Sequence, residues 1–175
     1  MNDMTKNGNV NGNAGNVVKT LQGLGGFARR ETLLDKKFGL SESEIRQALG
    51  QGSMYGLEFE LPHINGRDTE IYVLKNSDVA LKRLENLAER AAYLCGGNES
   101  QQPGMYFSGL KEGMGGDADK TIMGISYALR TGKIGQFGNL GTRETGPLYV
   151  AVNTLAHYRL TNADQIFHYI KKEDK

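Results

Sequence analysis

The sequence predicts a mainly helical α+β protein, and three patterns in its 175 residues lead to this fold class. Short amphipathic helical patterns come first. An alternation of apolar and polar residues then surrounds Asn65-Gly66, a pair that favours the tight turn of a β-hairpin. A longer helical pattern follows, and the rest of the chain is again mostly helical in pattern.

The chain opens with a segment that has little to bury. Residues 1–16, MNDMTKNGNVNGNAGN, are mostly Asn and Gly, so we expect a disordered tail and order from about Val17 onward. Residues 16–26 then predict a short helix that ends at Gly25-Gly26. Residues 29–39 predict a second short helix.

A third helix and a hairpin follow. Ser41 stands three residues before Glu44, which is the spacing of a capping box and predicts a helix start at Ser41. The period then changes from helical to alternating. Residues 57–61 and 69–75 alternate apolar and polar positions and predict the two strands of the hairpin.

Three short helices, a hairpin and a longer helix resemble the winged helix-turn-helix superfamily. The resemblance covers residues 17–96 and is one of element order, without a motif of any specific family. It implies that the third helix enters the major groove of DNA and that the hairpin wing contacts the backbone or the minor groove.

The resemblance assigns candidate DNA contacts. Ser43, Arg46 and Gln47 face outward on the third helix, and Arg and Gln suit the edges of guanine and adenine. The tip of the wing carries His63, Asn65 and Arg67. Cations before the third helix are expected to contact phosphates and so to position the protein: Arg29, Arg30, Lys36 and Lys37.

Acidic residues in the same region favour a different partner. Glu42 and Glu44 lie on the third helix, and several carboxylates lie in the wing, where they would repel phosphates. Carboxylates in the first turn of a helix also have a structural role, because they interact favourably with its dipole. Duplex DNA binding by a regulator or accessory factor therefore competes with a role as a protein-protein adaptor of the same fold.

The long helix over residues 77–97 carries a narrow apolar seam. If this seam were exposed, a second copy could pair with it, giving a homodimer through residues 78–95. Packing on its own domain is the alternative. The seam comprises Leu81, Leu84, Ala88, Ala91 and Cys95.

Residues 107–130, FSGLKEGMGGDADKTIMGISYALR, raise the question of a phosphate-binding loop before Lys120-Thr121. The pattern G-x-x-x-x-G-K-[ST] requires glycine directly before lysine, and this chain has Asp119 there. Its carboxylate, with that of Asp117, would repel a triphosphate. We therefore expect no nucleotide site, and we expect Asp117 to cap a helix over residues 118–131.

The C-terminal part, residues 105–175 after a linker at 97–104, is predicted to be mostly helical. Glycines in the 132–146 loop allow its backbone to approach a partner closely, and the alternative is that the loop only connects two elements. The candidate partner contacts in this loop are Lys133, Gln136, Asn139 and Arg143. Residues 147–160 predict a helix, with a strand as the alternative for its beginning. A last helix follows, and no repeat of domain scale is visible.

Composition excludes several classes of function. Cys95 is the single cysteine, so neither an internal disulfide nor a cysteine zinc site can form. No apolar run reaches the length of a membrane span. The net charge is +1, and basic residues outnumber acidic ones only outside residues 41–100. We expect a cytoplasmic, non-enzymatic protein without cofactor or metal, whose anionic partner meets the N-terminal or C-terminal part.

Overall fold

The computed structural model describes residues 10–59, 69–96, 104–138, 145–152, 154 and 156–162. Within these ranges the protein is a mixed α/β structure of helices and small antiparallel sheets. The chain divides into two compact units. Unit 1 comprises the described residues up to Arg83, and unit 2 those from Leu84 onward. The division falls inside the long helix, upstream of the linker predicted at 97–104.

Unit 1 begins with a helix, continues to the paired strands of the predicted hairpin and ends in the first turns of the long helix that follows them. Its third strand lies in the middle of the sheet, antiparallel to the first and the second. The elements of unit 1 are α1 (Val10–Gly23), β1 (Phe27–Arg29), α2 (Arg30–Leu33), α3 (Glu42–Gly50), β2 (Met54–Phe59) and β3 (Thr69–Leu74).

The structure confirms the hairpin and the third helix, and it corrects the segments before them. Helix α1 begins at Val10, inside the tail that was predicted to be disordered, and Ala14 is buried in the core. Strand β1 was not predicted. It shares only Arg29 with the second helix predicted over residues 29–39, and α2 is a single short turn because the chain leaves the helix at Leu34 and forms turns over residues 34–38. The predicted turn at Asn65-Gly66 lies outside the described residues.

Unit 2 contains a second pair of strands. Strand β5 confirms the strand alternative for the segment after Pro147. Residues 132–146 were predicted to be a loop, and the structure corrects this prediction because β4 lies within them. Residues 156–162 are helical and are called α7. The other elements are the part of α4 (Asp78–Gly96) from Leu84 onward, α5 (Phe107–Gly113), α6 (Ala118–Arg130), β4 (Ile134–Phe137) and β5 (Leu148–Ala151).

The apolar seam of α4 is not available to a partner chain. Leu84, Ala88, Ala91 and Cys95 are all buried, and the last three belong to the core of unit 2. Pairing of two copies through this seam is therefore wrong, and the alternative of packing within the chain is correct. Burial also raises the pKa of the Cys95 thiol to about 12, so this group is protonated at neutral pH.

Unit 2 repeats the architecture of unit 1. In unit 1 the order is helix, short strand, two helices and two strands, with β3 between β1 and β2. In unit 2 the order is α4, a bridge at Met105, α5, α6, β4 and β5, and β5 pairs with both Met105 and β4. The order and pairing of these elements correct the prediction that the chain has no repeat of domain scale.

The repeat extends to strand register and core residues. Ala28 lies opposite Tyr72 in unit 1, and Met105 lies opposite Tyr149 in unit 2. Both tyrosines are buried on the middle strand. Nine of the ten buried residues in each core cluster correspond: Ala14 with Ala88, Val17 with Ala91, Leu21 with Cys95, Leu33 with Leu110, Ile45 with Ile125, Ala48 with Ala128, Met54 with Ile134, Tyr72 with Tyr149, and Leu74 with Ala151.

The helix before each hairpin ends in the same way. Residues 45–52, IRQALGQG, and residues 125–132, ISYALRTG, share the pattern I-x-x-A-L-x-x-G. Its last glycine, Gly52 or Gly132, has a positive φ, and the following backbone N–H donates to the carbonyl of Ala48 or Ala128. Glycine is needed at this position because residues with a Cβ rarely adopt a positive φ.

Close packing of two helices in unit 2 gives a stability test. A methyl group on Gly124 of α6 would lie 2.9 Å from the backbone carbonyl oxygen of Leu87 on α4. The backbone cannot yield without a shift of the helix, so we expect Gly124→Ala to lower the free energy of unfolding by about 1–3 kcal/mol. Urea denaturation followed by circular dichroism measures the change.

Gly15→Ala is the matched control for that test. Gly15 lies inside α1, and a methyl group there would meet no atom within 4 Å. Because alanine is the better helix former, we expect this variant to gain about 0.5–1 kcal/mol. Equal effects of the two substitutions would contradict the packing of α4 against α6.

Candidate nucleic-acid interface

Helix α3 has one buried face and one exposed face. Ile45 and Ala48 are fully buried in the core of unit 1, where α3 packs against α1. Ser43 and Arg46 are exposed, and Gln47 is half-buried. In the described part of the chain, the Arg46 guanidinium forms no ion pair. The outward positions predicted for Ser43 and Arg46 are therefore confirmed.

The predicted capping box at the start of α3 is present. The Glu44 N–H donates to Ser41 Oγ over 3.4 Å, and the Ser41 N–H donates to Glu44 Oε2 over 2.8 Å. The Ser41 hydroxyl also donates to the Glu44 carboxylate over 2.7 Å. These hydrogen bonds, first the one from the hydroxyl and then the one from the backbone, hold the pKa of Glu44 below its ordinary value.

The other carboxylate on α3, that of Glu42, also has a partner within unit 1. Glu42 accepts a hydrogen bond from the Arg30 guanidinium and forms an ion pair with it. The pair joins α2 to the first turn of α3. Both carboxylates that weighed against DNA binding therefore have partners within unit 1, and the negative charge of Glu42 is offset locally.

The ion pairs change the assignment of the predicted phosphate contacts. Arg30 is bound to Glu42, Arg29 lies 3.1 Å from Glu31, and Lys37 lies 3.5 Å from Asp35. Lys37 also lies above the Phe38 ring. Lys36 is exposed and, like Arg46, forms no ion pair in the described ranges. Among the predicted phosphate contacts it is therefore the one whose charge is not offset by an ion pair in this part of the chain.

Strand β3 carries a further polar contact. The Tyr72 hydroxyl donates to Glu70 Oε2 over 2.6 Å, and both residues lie on β3. Burial, and then this hydrogen bond, raise the pKa of Tyr72 above its ordinary value. Tyr72 is therefore a structural residue of the core, with its hydroxyl held by Glu70 of the same strand.

Several predicted site residues lie outside the described residues. They are His63, Asn65 and Arg67 at the wing tip, and Asn139 and Arg143 in the glycine loop. Gln136 is half-buried on β4. Lys133 lies 3.7 Å from Glu89 of α4, so this predicted partner contact is engaged within unit 2.

The glycine-rich segment before α6 has the geometry of a helix cap. Asp117 Oδ1 accepts a hydrogen bond from the Lys120 N–H over 3.0 Å, which confirms the predicted cap. The Lys120 ammonium lies 3.3 Å from the same carboxylate, so it is directed back to the cap. Within the described ranges, His, Cys, Asp and Glu form no cluster of a size that could hold a metal ion.

Comparison with known proteins adds no relative. No protein-family model matches the chain, and no curated protein matches its sequence. No helix in the described part of the chain is both long enough and apolar enough to span a membrane. The geometry of unit 1 is therefore the basis on which a function can be proposed.

The capping box yields a prediction for the stability of α3. Removing the Ser41 hydroxyl leaves a helix N–H without its acceptor, so we expect Ser41→Ala to cost about 1 kcal/mol in the free energy of unfolding. Ser43→Ala, the same substitution two residues further along, removes only an exposed contact of 2.9 Å between the Ser43 and Ser41 hydroxyls, so it should change the free energy of unfolding by less than about 0.5 kcal/mol. Urea denaturation measures both, and a larger loss for Ser43→Ala would rule out the cap.

Glu44 yields a prediction for pH dependence. Because its folded-state pKa is lowered, its contribution to stability is present above the ordinary pKa of a glutamate and is lost as pH falls through the lowered value. The stability difference between the wild type and Glu44→Gln should therefore shrink as pH falls from 7 through the lowered pKa of Glu44, because the protonated carboxyl group is uncharged like the glutamine amide. A difference independent of pH would show that the ionised carboxylate contributes nothing.

Proposed function

We propose that unit 1 is a winged-helix domain that binds duplex DNA through the exposed face of α3, as the part of a regulator or accessory factor that contacts DNA. The element order and the position of β3 between β1 and β2 support the winged-helix assignment. The proposal assigns no catalytic step to the chain.

One observation carries the proposal. Arg46 projects from the exposed face of α3 without an ion-pair partner in the described ranges, while Glu42 and Glu44 are both engaged elsewhere. A free guanidinium on a helix is suited to the hydrogen-bond acceptors of guanine, and Ser43 is suited to bases or phosphates. Lys36, just before α3, adds an exposed ammonium for the DNA backbone.

A protein partner is the alternative, and the ion pairs favour it. Arg29, Arg30 and Lys37 each have a carboxylate neighbour in unit 1, which reduces the positive potential that DNA requires. In this case α3 contacts an acceptor group on a protein surface. The 132–146 loop, with Lys133 and Gln136 in its described part, remains a candidate contact for such a partner.

The test is binding of a fluorescent duplex of random sequence, followed by anisotropy over a range of salt concentrations. We expect affinity to fall steeply as salt rises, because each phosphate contact releases condensed counterions. Arg46→Ala should lower affinity about tenfold, as expected for loss of a base-contacting or phosphate-contacting arginine. Selection of bound sequences from a random pool then distinguishes base reading from phosphate contact.

Arg159→Ala is the matched control, because Arg159 is an exposed arginine of α7 in unit 2. Its loss removes the same charge and should change affinity less than twofold, the small effect expected of an exposed, screened charge outside the reading helix. No binding at low salt would contradict the DNA proposal and leave the protein-partner alternative. Equal losses in both variants would show a response to net charge alone.

A further inference from the structure

The architectural repeat allows the DNA-facing positions of α3 to be located on α6. The shared pattern I-x-x-A-L-x-x-G aligns the buried Ile45 and Ala48 with Ile125 and Ala128. The same alignment places Met123 where α3 has Ser43, and Ser126 where α3 has Arg46. The cores of the two helices therefore match, whereas their outward positions differ in chemistry.

The outward positions also differ in exposure. Ser43 and Arg46 are exposed, whereas Met123 is 6% exposed and Ser126 is 0% exposed. The Ser126 hydroxyl is completely covered and has no hydrogen-bond partner in the described part of the chain. A helix face that is enclosed in this way cannot contact a base edge, because the DNA must reach the side chain directly.

We propose that the chain carries two copies of one winged-helix architecture, of which only the first has an open DNA-reading face. This inference rests on the proposed function of unit 1. One chain then places one helix in one segment of the major groove. Reading two half-sites, which helix-turn-helix proteins place about 10 bp apart, requires a second chain.

The proposal has a consequence for the number of phosphates contacted. A chain with two reading helices would contact more phosphates on a duplex long enough for both than on one that accommodates a single helix. The slope of log K against log salt reports this number, at about −0.9 per phosphate. A chain with one reading helix should give the same slope on both duplexes.

The experiment compares the full-length protein on duplexes of about 16 and about 32 bp, which accommodate one and two successive groove segments. Salt titrations are run on the wild type and on three variants. Arg46→Ala alters the open face of α3, while Lys120→Ala and Arg130→Ala remove the exposed cations of α6. Circular dichroism confirms that each variant is folded.

We expect equal slopes on the two duplexes, an affinity lowered about tenfold for Arg46→Ala on both, and affinities within about twofold of wild type for the α6 variants. A slope steeper by two or more on the longer duplex would overturn the inference and leave the proposed function intact. Losses of affinity for the α6 variants as large as that for Arg46→Ala would also overturn the inference and leave the proposed function intact. Absence of binding to either duplex would remove the proposed function, and the inference with it.

Discussion

The burial of Ile45 and Ala48 against the core of unit 1 is the interaction on which the rest of that unit depends. Helix α3 has nine residues, which is shorter than the length at which isolated helices are stable in water. Its structure must therefore come from packing on α1 and from the capping box at Ser41 and Glu44. Burial of one face leaves the other face in solvent, and Arg46 lies there because it is turned about 100° from Ile45 and about 160° from Ala48 around the helix axis.

Helix α6 of unit 2 is buried through the same core positions as α3, but its outward positions are different. Ile125 and Ala128 occupy the places of Ile45 and Ala48, and Tyr149 replaces Tyr72 on the middle strand. Outside these core positions the two units diverge, since Met123 and Ser126 are buried where Ser43 and Arg46 are exposed. An architecture used twice in one chain thus supports two kinds of surface, which is why function has to be argued from particular side chains rather than from element order.

Capping residues and helical periodicity, which depend on neighbouring residues alone, were correctly interpreted from the sequence. The caps at Ser41 and Asp117 and the long helix α4 are of this kind. Strand β1 and the bridge at Met105 were missed, because segments this short have no period and exist through pairing with β3 and β5. The ion pair of Arg30 with Glu42 was also missed, since it joins residues distant in sequence. The repeat had one local sign, the shared I-x-x-A-L-x-x-G, which is too short to be noticed without the strand register.

The central claim is that α3, and not α6, meets the DNA. Titration of the ¹⁵N-labelled protein with a short duplex, followed by two-dimensional NMR, tests it most directly because each backbone amide is observed separately. The account predicts that the amides of Ser43, Arg46 and Gln47 shift during the titration while those of Met123 and Ser126 stay in place. Shifts confined to α6, or shifts nowhere in unit 1, would contradict it.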